Sequence, residues 1–452
     1  MKLSFYGGAK NVTGANYLLE SGSLGGETRI LIDCGLNQGS NFCERLNFEP
    51  FPYDPRSVDA LLVTHAHIDH TGRIPKLYKN GFRGKIYSTP PTKEFAHFML
   101  LDSEGILTKE ALRENREPIF NSEDVGESMK LWEGIEYHKE LQVGNFKIKF
   151  WNAGHILGSA FILVEAEGKK IIFSGDLGNN PPPIIQPTEM PEEADYCLIE
   201  STYGNRTHEE EAIFKNYLED IIEDTVKSKG TLLIPAFAME RTQKLLYELN
   251  ELIENGRIPK IPIFVDSPLA IKLTSVYKKY QKYFNPEADI LIRGGDAIFD
   301  FPGLKTTLRT EDSKAINNVP APKVIIAGSG MSQGGRILHH EKRYLSDPKS
   351  TIIFVGYQAE GSLGRQILNG EKVVRILGGD IYVNCRILTL PGYSAHADQP
   401  QLLKWINPMR KSLKKIFIVQ GEETSAEALG QKIRDELAIP THIPEIKESV
   451  IL

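Results

Sequence analysis

Apolar and polar residues alternate in short runs along the first 200 residues. Glycine and asparagine interrupt these runs, as they do at hairpins and turns. An alternation with period two is typical of β-strands that bury one face. This part of the chain is therefore predicted to be β-rich, with strands in "KLSFYGG", "TRILIDCG", "VDALLVTH", "KIKFWNAGH" and "AFILVEAEGKKIIFSGD".

The pattern changes near residue 209. Long segments with apolar residues at helical spacing now alternate with short, largely apolar runs, and this alternation is typical of a parallel α/β domain. The predicted helices are "EEEAIFKNYLEDIIEDTVKSKG" and "MERTQKLLYELNELIENG". The predicted strands are "TLLIPAF", "IPIFVDS", "KVIIAG" and "TIIFVGY".

A last block begins near residue 385 and contains "RILTLPGYSAHAD", a helix, "KKIFIVQGEE" and a final helix from about Ser425 to Leu437. We predict that residues 384–452 return to the domain begun by residues 1–200, and that residues 201–383 form an inserted α/β domain. The apolar end of "PEIKESVIL" either completes the sheet of the first domain or adds a strand to a partner chain.

The stretch "VTHAHIDHTG" places four metal-capable residues directly after an apolar run: His65, His67, Asp69 and His70. Alternate residues leaving a strand point the same way, so His65 and His67 can share one cation. Asp69 and His70, on the turn that follows, can then face a second cation. Imidazole and carboxylate without thiolate suit a catalytic zinc site that leaves a coordination position open for water.

Two further candidates follow later apolar strands, His155 in "WNAGHILGS" and Asp176 in "IIFSGDLG". Either one alone is compatible with an ordinary turn, but their shared position at strand ends favours metal ligation. Asp33 in "ILIDCG" is placed in the same way. We expect Asp33 to orient the histidines, with a plain turn role as the alternative.

The net charge of −6 argues against a protein coated with basic residues for nucleic-acid binding, although a local groove can still be positive. A composition of 41% hydrophobic and 25% charged residues is typical of a soluble globular protein. The four cysteines, Cys34, Cys43, Cys197 and Cys385, form no CxxC pair, so no disulfide framework or thiolate zinc site is expected. Without a secretion signal or an apolar span, we expect a cytoplasmic protein that does not associate with membranes.

The order Asp33, H-x-H-x-D-H, His155 and Asp176 resembles the metallo-β-lactamase superfamily. The inserted region resembles the β-CASP domain of RNA-processing and DNA-repair nucleases, with Glu200 of "LIESTYGNR" at motif A and His396 of "GYSAHADQ" at motif B. The resemblance covers nearly the whole chain. It is nearest to prokaryotic short forms that are similar to the endonuclease subunit of the cleavage and polyadenylation specificity factor.

This resemblance implies the fold class. Residues 1–200 and 384–452 would form a metallo-β-lactamase αββα sandwich, and residues 201–383 would form a parallel α/β β-CASP domain. Single-stranded RNA would lie in the cleft between the two domains. Family members are often dimers, so a homodimer is a further expectation.

The segments "VIIAGSGMSQGGRILHH" and "TIIFVGYQAEGSLGR" look like the glycine-rich segments of RNA-specific members. Bare backbone amides at a strand-to-helix turn can bind phosphate, and arginine can do so with two donors. An ordinary strand-to-helix turn is the alternative for each segment. The predicted phosphate-binding residues are Ser329, Gly330, Gly334, Gly335, Arg336, Gly361, Ser362, Gly364 and Arg365. Other candidates for the RNA groove or its surroundings are Arg241, Asp266, Ser267 and Lys272.

The resemblance also implies two divalent ions, with zinc as the expected metal. The first ion would be held by His65, His67 and His155, the second by Asp69 and His70, and Asp176 would bridge the two. On the leaving-group side, His396 paired with Glu200 would donate a proton or stabilise charge. The implied catalytic residues are therefore Asp69, Glu200 and His396.

One position departs from the family pattern. Family members read "VHGE" near the C-terminus, with the histidine on the second metal, whereas this chain reads "IFIVQGEE" and has Gln420. A neutral amide oxygen binds zinc less well than imidazole does. The second site is therefore expected to be weak, to be empty or to take manganese.

Three functions remain open at this point. The first is a metal-dependent ribonuclease that hydrolyses phosphodiester bonds of single-stranded RNA. The second, suggested by Gln420, is an RNA-binding pseudonuclease or subunit of a processing complex. The third is a metallohydrolase for DNA or for a small phosphodiester or ester, against which the two glycine-rich segments argue.

Overall fold

The computed structural model describes residues 1–23, 26–39, 44–208, 212–390 and 394–452. The chain divides into two compact units. The first unit comprises Met1–Thr207 with Ala395–Leu452, and the second comprises His208–Ser394. Cys43, and Gly392 and Tyr393 of "GYSAHADQ", lie outside the described residues. Within the described ranges, no helix has the length and hydropathy required to cross a bilayer.

The first unit contains two seven-stranded sheets. The first sheet has the order β22-β1-β2-β3-β4-β5-β6. Its strands are β1 (Lys2–Gly7), β2 (Asn16–Ser23), β3 (Gly26–Ile32), β4 (Ala60–Leu62), β5 (Lys85–Ser88), β6 (Trp132–Gly134) and β22 (Ser449–Ile451). The second sheet has the order β21-β20-β11-β10-β9-β8-β7. Its strands are β7 (Leu141–Val143), β8 (Phe146–Asn152), β9 (Ala160–Ala166), β10 (Lys169–Phe173), β11 (Tyr196–Glu200), β20 (Lys415–Val419) and β21 (Thr441–His442).

The two sheets pack face to face through their apolar side chains. The rings of Phe5 on β1 and Phe417 on β20 have their centroids 5.5 Å apart, inside a core that draws residues from both sheets. β22 pairs antiparallel with β1, so the C-terminal apolar segment completes the first sheet. Along β8 the side chains alternate between buried and more exposed positions, as the period-two pattern of the sequence predicts.

Helices cover the outer faces of this sandwich. The helices of the first unit are α1 (Ile68–Thr71), α2 (Ile74–Lys79), α3 (Pro90–Arg113), α4 (Ser122–Lys130), α12 (Gln399–Ile406) and α13 (Glu423–Lys432). Trp405 of α12 and Leu429 of α13 share a buried cluster with Ile418 on the outer face of the second sheet. On the other side, α3 contacts β6 and Leu61 is fully buried. The predicted αββα sandwich is confirmed.

The second unit is built on a six-stranded sheet with the order β14-β13-β15-β12-β16-β19, in which every paired strand is parallel. Its strands are β12 (Thr231–Pro235), β13 (Ile263–Val265), β14 (Leu304–Thr306), β15 (Lys323–Ala327), β16 (Thr351–Phe354) and β19 (Arg386–Thr389). A small antiparallel pair consists of β17 (Val373–Ile376) and β18 (Gly379–Tyr382). The helices of this unit are α5 (Ala212–Ser228), α6 (Arg241–Glu254), α7 (Pro268–Lys279), α8 (Pro286–Arg293), α9 (Thr310–Ala315), α10 (Ile337–Tyr344) and α11 (Leu363–Leu368). The predicted parallel α/β architecture is confirmed.

The division of the chain differs from the predicted boundaries at both ends of the inserted unit, which comprises His208–Ser394 and not residues 201–383. β19 follows residue 384, yet it pairs with β16 in the sheet of the second unit. Its apolar residues add a sixth parallel strand there, and so the second unit extends to Ser394. A short strand carries no mark of which sheet it joins, because that is decided by pairing with distant residues.

Candidate functional site

The metal-capable side chains of the first unit lie at the carboxyl ends of strands in both sheets. Asp33 directly follows β3, and His65 and His67 follow its parallel neighbour β4. From the second sheet, His155 follows β8, Asp176 follows β10, Glu200 ends β11 and Gln420 follows β20. Two sheets that face each other thus bring together residues that are hundreds of positions apart in the chain.

Four ligand atoms converge on one point. His67 Nδ1 lies 3.1 Å from His65 Nε2 and 3.2 Å from His155 Nε2. Asp176 Oδ2 lies 3.4 Å from His65 Nε2 and 3.6 Å from His155 Nε2. A tetrahedral zinc site with bonds of 2.0 to 2.2 Å places its ligand atoms about 3.3 to 3.6 Å apart. The spacing and the donor set of these four residues therefore fit a zinc ion.

Hydrogen bonds fix which nitrogen of each ring faces this point. The Thr64 hydroxyl donates to Asp33 Oδ2 at 2.8 Å and can therefore accept from His65 Nδ1 at 3.1 Å. His155 Nδ1 lies 3.2 Å from the carbonyl oxygen of Ala395, to which it can donate. In both rings the Nε2 lone pair is then available as a metal ligand. Asp33 thus orients its neighbours through Thr64.

The electrostatic environment keeps two of the imidazoles neutral. Burial lowers the pKa of His67 and of His155 well below the usual value, and neighbouring histidines lower it further. A histidine must be neutral to ligate a metal. Burial opposes the charge on Asp176, but His70, His65 and His396 hold the pKa of its carboxyl well below the usual range. These two rings therefore present neutral nitrogens beside an ionised carboxylate.

A second group of side chains surrounds His70. Its Nδ1 lies 2.7 Å from Asp33 Oδ2, and its Nε2 lies 3.3 Å from Asp176 Oδ1 and 3.9 Å from Asp69 Oδ2. Burial opposes a charge on this ring, but the carboxylates of Asp176, Asp33 and Asp69 raise the pKa of His70 well above its usual value. Three carboxylates around one ring favour a positive charge here.

The Gln420 side chain reaches into this second group. Its buried amide nitrogen lies 2.7 Å from His70 Nε2 and donates to Asp176 Oδ1 at 3.0 Å. The amide nitrogen thereby lies against two atoms that would ligate a second ion. To act as a ligand, the amide must instead turn its carbonyl oxygen toward them. The residues here fit a second ion less well than the first four residues fit one.

The predicted pair of Glu200 and His396 is formed. His396 Nδ1 lies 3.2 and 3.3 Å from the two oxygens of Glu200 and 3.9 Å from Asp176 Oδ2. Glu200 is fully buried and also accepts from the Leu177 amide at 2.6 Å. Although burial opposes the charge, Glu200 and Asp176 raise the pKa of His396 to about 9. With Nδ1 bound to Glu200, a contact between the His396 ring nitrogens and a substrate would have to use Nε2.

In the second unit, the glycine-rich segments are stabilised by hydrogen bonds within their own turns. Ser329 Oγ accepts from the amides of Gln333 and Gly334 at 3.0 and 3.2 Å. Ser362 Oγ caps α11 by accepting from the Arg365 amide at 3.1 Å, and it donates to the carbonyl of Ala359 at 2.7 Å. Both hydroxyls predicted to contact phosphate are thus engaged within their own turns.

Several glycines in these segments are required by the backbone itself. Gly335 and Gly361 have φ values of +74° and +79°, where other residues are strained. A Cβ at Gly364 would lie 1.9 Å from Gln358 Oε1. A Cβ at Gly330 would lie 2.7 Å from the ring of Phe237. Turn geometry and close packing therefore account for glycine at these four positions.

Arg336 binds within the second unit. Its guanidinium donates to Asp266 Oδ1 at 2.7 Å and to the carbonyls of Thr307 and Leu308 at 2.8 and 2.9 Å. Asp266 is fully buried and lies 2.7 Å from His340 Nε2. Burial opposes its ionisation, but these partners hold the pKa of its carboxyl well below the usual range. Arg336 thus fixes the turn after β15 and has few donors left for a ligand.

Some residues that shape the site escaped the sequence analysis. Thr64 links Asp33 to His65, the Ala395 carbonyl orients His155, and the Leu177 amide holds Glu200. For Thr64 a signal existed, since a hydroxyl residue directly precedes the histidine motif. The other two groups are backbone atoms, whose contacts leave no trace in residue identity.

Comparison with known families agrees with this geometry. Residues 12–193 match the metallo-beta-lactamase superfamily, residues 242–367 the Beta-Casp domain, and residues 380–444 the Zn-dependent metallo-hydrolase RNA specificity domain. The chain is also similar in fold to the crystal structure of a protein of unknown function from Enterococcus faecalis V583, with a TM-score of 0.59. That likeness covers 100% of this chain and 99% of the other at 12% identity.

Three curated relatives match over nearly the whole chain. Ribonuclease TTHA0252 of Thermus thermophilus is 41% identical, over 95% of each chain. An RNase J-like protein of Methanocaldococcus jannaschii is 33% identical over 98% of this chain and 97% of its own length. Transcription termination factor FttA of Methanosarcina mazei is 31% identical over 100% of this chain and 72% of its own length. The chain therefore belongs to the metallo-β-lactamase superfamily, in the group whose members carry a β-CASP domain.

Proposed function

We propose that this protein is a metal-dependent ribonuclease that hydrolyses phosphodiester bonds of single-stranded RNA. The observation that carries the proposal is the convergence of His65, His67, His155 and Asp176 beside the pair of His396 and Glu200. The names of the curated relatives support RNA as the substrate, because one is named a ribonuclease and another an RNase J-like protein.

We propose Zn²⁺ as the ion held by the three histidines and Asp176. When bound, it supplies Lewis acidity for the charge that a phosphodiester gains in the transition state, and it makes water a better nucleophile at neutral pH. His396 Nε2 then acts as the proton donor for the leaving oxygen, and Glu200 keeps the ring oriented through Nδ1. Asp33 and Thr64 keep the ligand rings in their tautomers.

RNA phosphates are proposed to contact the second unit through Arg365 and the backbone of the glycine-rich turns. The Nε of Arg365 is buried and has no hydrogen-bond partner within the described part of the chain. Arg365 is half-buried, and its planar guanidinium can offer two parallel bonds to a phosphate.

A second ion is proposed to use Asp69, His70 and Asp176, and to bind more weakly than the first. Its binding has to displace the Gln420 amide nitrogen, which lies 2.7 Å from His70 Nε2 and donates to Asp176 Oδ1. The amide oxygen that would take the place of this nitrogen is a poorer zinc ligand than imidazole. The wild-type protein therefore holds one ion tightly.

Removal of metal tests the proposed function. Protein stripped by a chelator is expected to cleave an end-labelled single-stranded RNA at least about a thousandfold more slowly, because the Lewis acid is lost. Readdition of Zn²⁺ or Mn²⁺ should restore cleavage. Product sizes on a denaturing gel measure the rate and show whether the cuts are internal.

DNA of the same sequence is the matched control for this experiment. It should be cleaved much more slowly than RNA, because an RNA-specific protein reads the 2′-OH. RNA that binds but stays intact with every metal would instead indicate an RNA-binding protein without turnover. Equal cleavage of RNA and DNA would contradict the proposed RNA specificity.

Gln420→His is expected to raise the zinc content from about one to about two ions per chain, because an imidazole replaces the amide as a ligand. The content is measured by mass spectrometry of the metal after dialysis, so the result does not depend on activity. Gln420→Leu removes the amide group without adding a ligand, and its zinc content should stay at about one ion per chain. A wild-type protein that retains two ions as tightly as Gln420→His does would refute this prediction.

A further inference from the structure

The parallel sheet of the second unit has a point where its connections diverge. β12 and β16 are adjacent and parallel. From the end of β12 the chain passes through α6 to β13, which lies toward the β14 edge of the strand order. From the end of β16 it passes to β19, which forms the opposite edge. In open α/β sheets, ligands bind in the crevice outside the carboxyl ends of two such strands.

Two aromatic side chains lie exposed at this point. Phe237 follows β12 and is 41% exposed, and Tyr357 follows β16 and is 55% exposed. Large aromatic residues usually bury most of their surface, so two exposed rings on neighbouring strand ends indicate a binding surface. We refer to Phe237, Tyr357 and Arg365 as the aromatic platform.

The glycine-rich turns contact the two segments that carry these rings. Gly330 packs directly beneath the Phe237 ring, since a Cβ there would lie 2.7 Å from Phe237 Cδ2. The carbonyl oxygen of Gly330 accepts from Gln358 Nε2 at 2.9 Å, and Gln358 also donates to the backbone oxygen of Tyr357. Gly330 therefore contacts the Phe237 ring, and Gln358 links Gly330 to the backbone of Tyr357.

A positive charge accompanies the rings. The guanidinium of Arg365 lies 5.4 Å from the centroid of the Tyr357 ring, and its Nε is one of the buried atoms without a hydrogen-bond partner in the described structure. A cation stacked on one ring beside a second exposed ring suits an anionic chain that carries flat aromatic groups. Single-stranded RNA has both properties, because its bases are unpaired and its phosphates are charged.

The backbone beside Phe237 is strained. Glu240 has φ +65° and ψ −56°, and the Arg241 amide bonds to the Met239 carbonyl across it at 2.8 Å, which makes a γ-turn of the rare, strained type. Strained residues of this kind cluster at ligand-binding sites. This turn fixes the path by which the chain leaves β12 and enters α6.

We propose that the aromatic platform stacks unpaired bases of the RNA substrate, with Arg365 on the adjacent phosphate. This inference rests on the proposed function, because it names how the second unit recognises the same substrate. Stacking on Phe237 and Tyr357 is tolerant of base identity, since every base has an aromatic face. The platform thus supplies affinity for single strands over duplexes, in which bases are already stacked.

Binding of a labelled single-stranded RNA is measured by fluorescence anisotropy. The holoprotein carries His396→Ala, which keeps the four metal ligands and slows consumption of the RNA. Phe237→Ala and Tyr357→Ala in this background are each expected to raise Kd about tenfold, as for loss of one base–aromatic stack. Tyr357→Phe keeps the ring and should bind like the parent protein.

Two controls separate stacking from general damage. Tyr382→Ala removes a 64% exposed tyrosine from β18 in the same unit and should leave Kd unchanged. An abasic strand of equal length keeps the phosphate spacing but offers no rings, so its Kd should not respond to Phe237→Ala or Tyr357→Ala. Equal weakening with the abasic strand, or in Tyr382→Ala, would overturn the proposal.

Failure of the platform proposal can be distinguished from failure of the proposed function. A protein that cleaves RNA while the alanine variants bind RNA like the parent protein keeps the ribonuclease proposal and overturns the platform. A protein that binds RNA through these rings but does not cleave it supports the platform and overturns the ribonuclease proposal.

Discussion

His67→Ala is expected to weaken Zn²⁺ binding by more than about a hundredfold. Loss of a residue that only orients a metal ligand costs up to about a hundredfold, and His67 is itself a proposed ligand. His67 Nδ1 lies 3.1 and 3.2 Å from the other two ligand nitrogens, so its loss opens one face of the tetrahedron. RNA cleavage should fall by at least about a thousandfold as the Lewis acid is lost. Calorimetric titration of zinc and a cleavage assay on the same preparation measure both effects.

His339→Ala is the matched control for this change. His339 is exposed in the second unit and is not among the clustered metal-capable residues. Its replacement should alter neither zinc affinity nor cleavage, and circular dichroism should show that both variants are folded. A His67→Ala protein that keeps the zinc affinity and the cleavage rate of the wild type would remove the basis of the proposed metal centre.

Local sequence pattern was sufficient to find much of the first unit's site. The histidine motif after "VDALLV", and the positions of His155 and Asp176 after apolar strands, are local signals of a strand end. Their proximity comes from the fold, because His65 follows β4 in the first sheet, whereas His155 and Asp176 follow β8 and β10 on either side of β9 in the second. The resemblance to a known family added Glu200 and His396, which nothing local links across 196 positions.

Other properties depend on which atoms meet after folding. The sequence gives Gln420 as an amide, but only the packed structure has its nitrogen 2.7 Å from His70 and 3.0 Å from Asp176. The sequence predicts that Arg336 binds phosphate, but in the structure its guanidinium contacts Asp266, which is 70 positions away. Exposed and buried aromatic residues look alike in sequence, and so Phe237 and Tyr357 could be recognised only from their exposure.

Glu200 and His396 meet in the site although the whole second unit separates them in the sequence. Glu200 ends β11, and His396 lies just before α12, after the chain has traversed the whole second unit. An isolated bridge between Gly178 and His396 holds this segment beside the strand end that carries Asp176. The His396 side chain is 22% exposed.

His396→Ala is expected to lower kcat for RNA cleavage about 10² to 10⁴-fold, the range for loss of a general acid, without loss of the tightly bound ion. The Glu200 carboxylate holds Nδ1, so Nε2 is the nitrogen that can protonate the leaving oxygen. A substrate with sulfur at the leaving position needs no such proton, because a thiolate leaves unaided. With that substrate the deficit of His396→Ala should shrink to within about tenfold.

His138→Ala provides the matched control, since it removes another histidine–glutamate pair of the first unit, in which His138 Nε2 lies 2.9 Å from Glu189. That pair is half-exposed and away from the clustered ligands, and its loss should leave kcat for both substrates unchanged. If His396→Ala lost as much activity on the sulfur substrate as on the oxygen substrate, proton donation would be excluded and His396 would act by stabilising charge or by positioning. Recovery with sulfur alone, at unchanged zinc content, would assign the proton to His396.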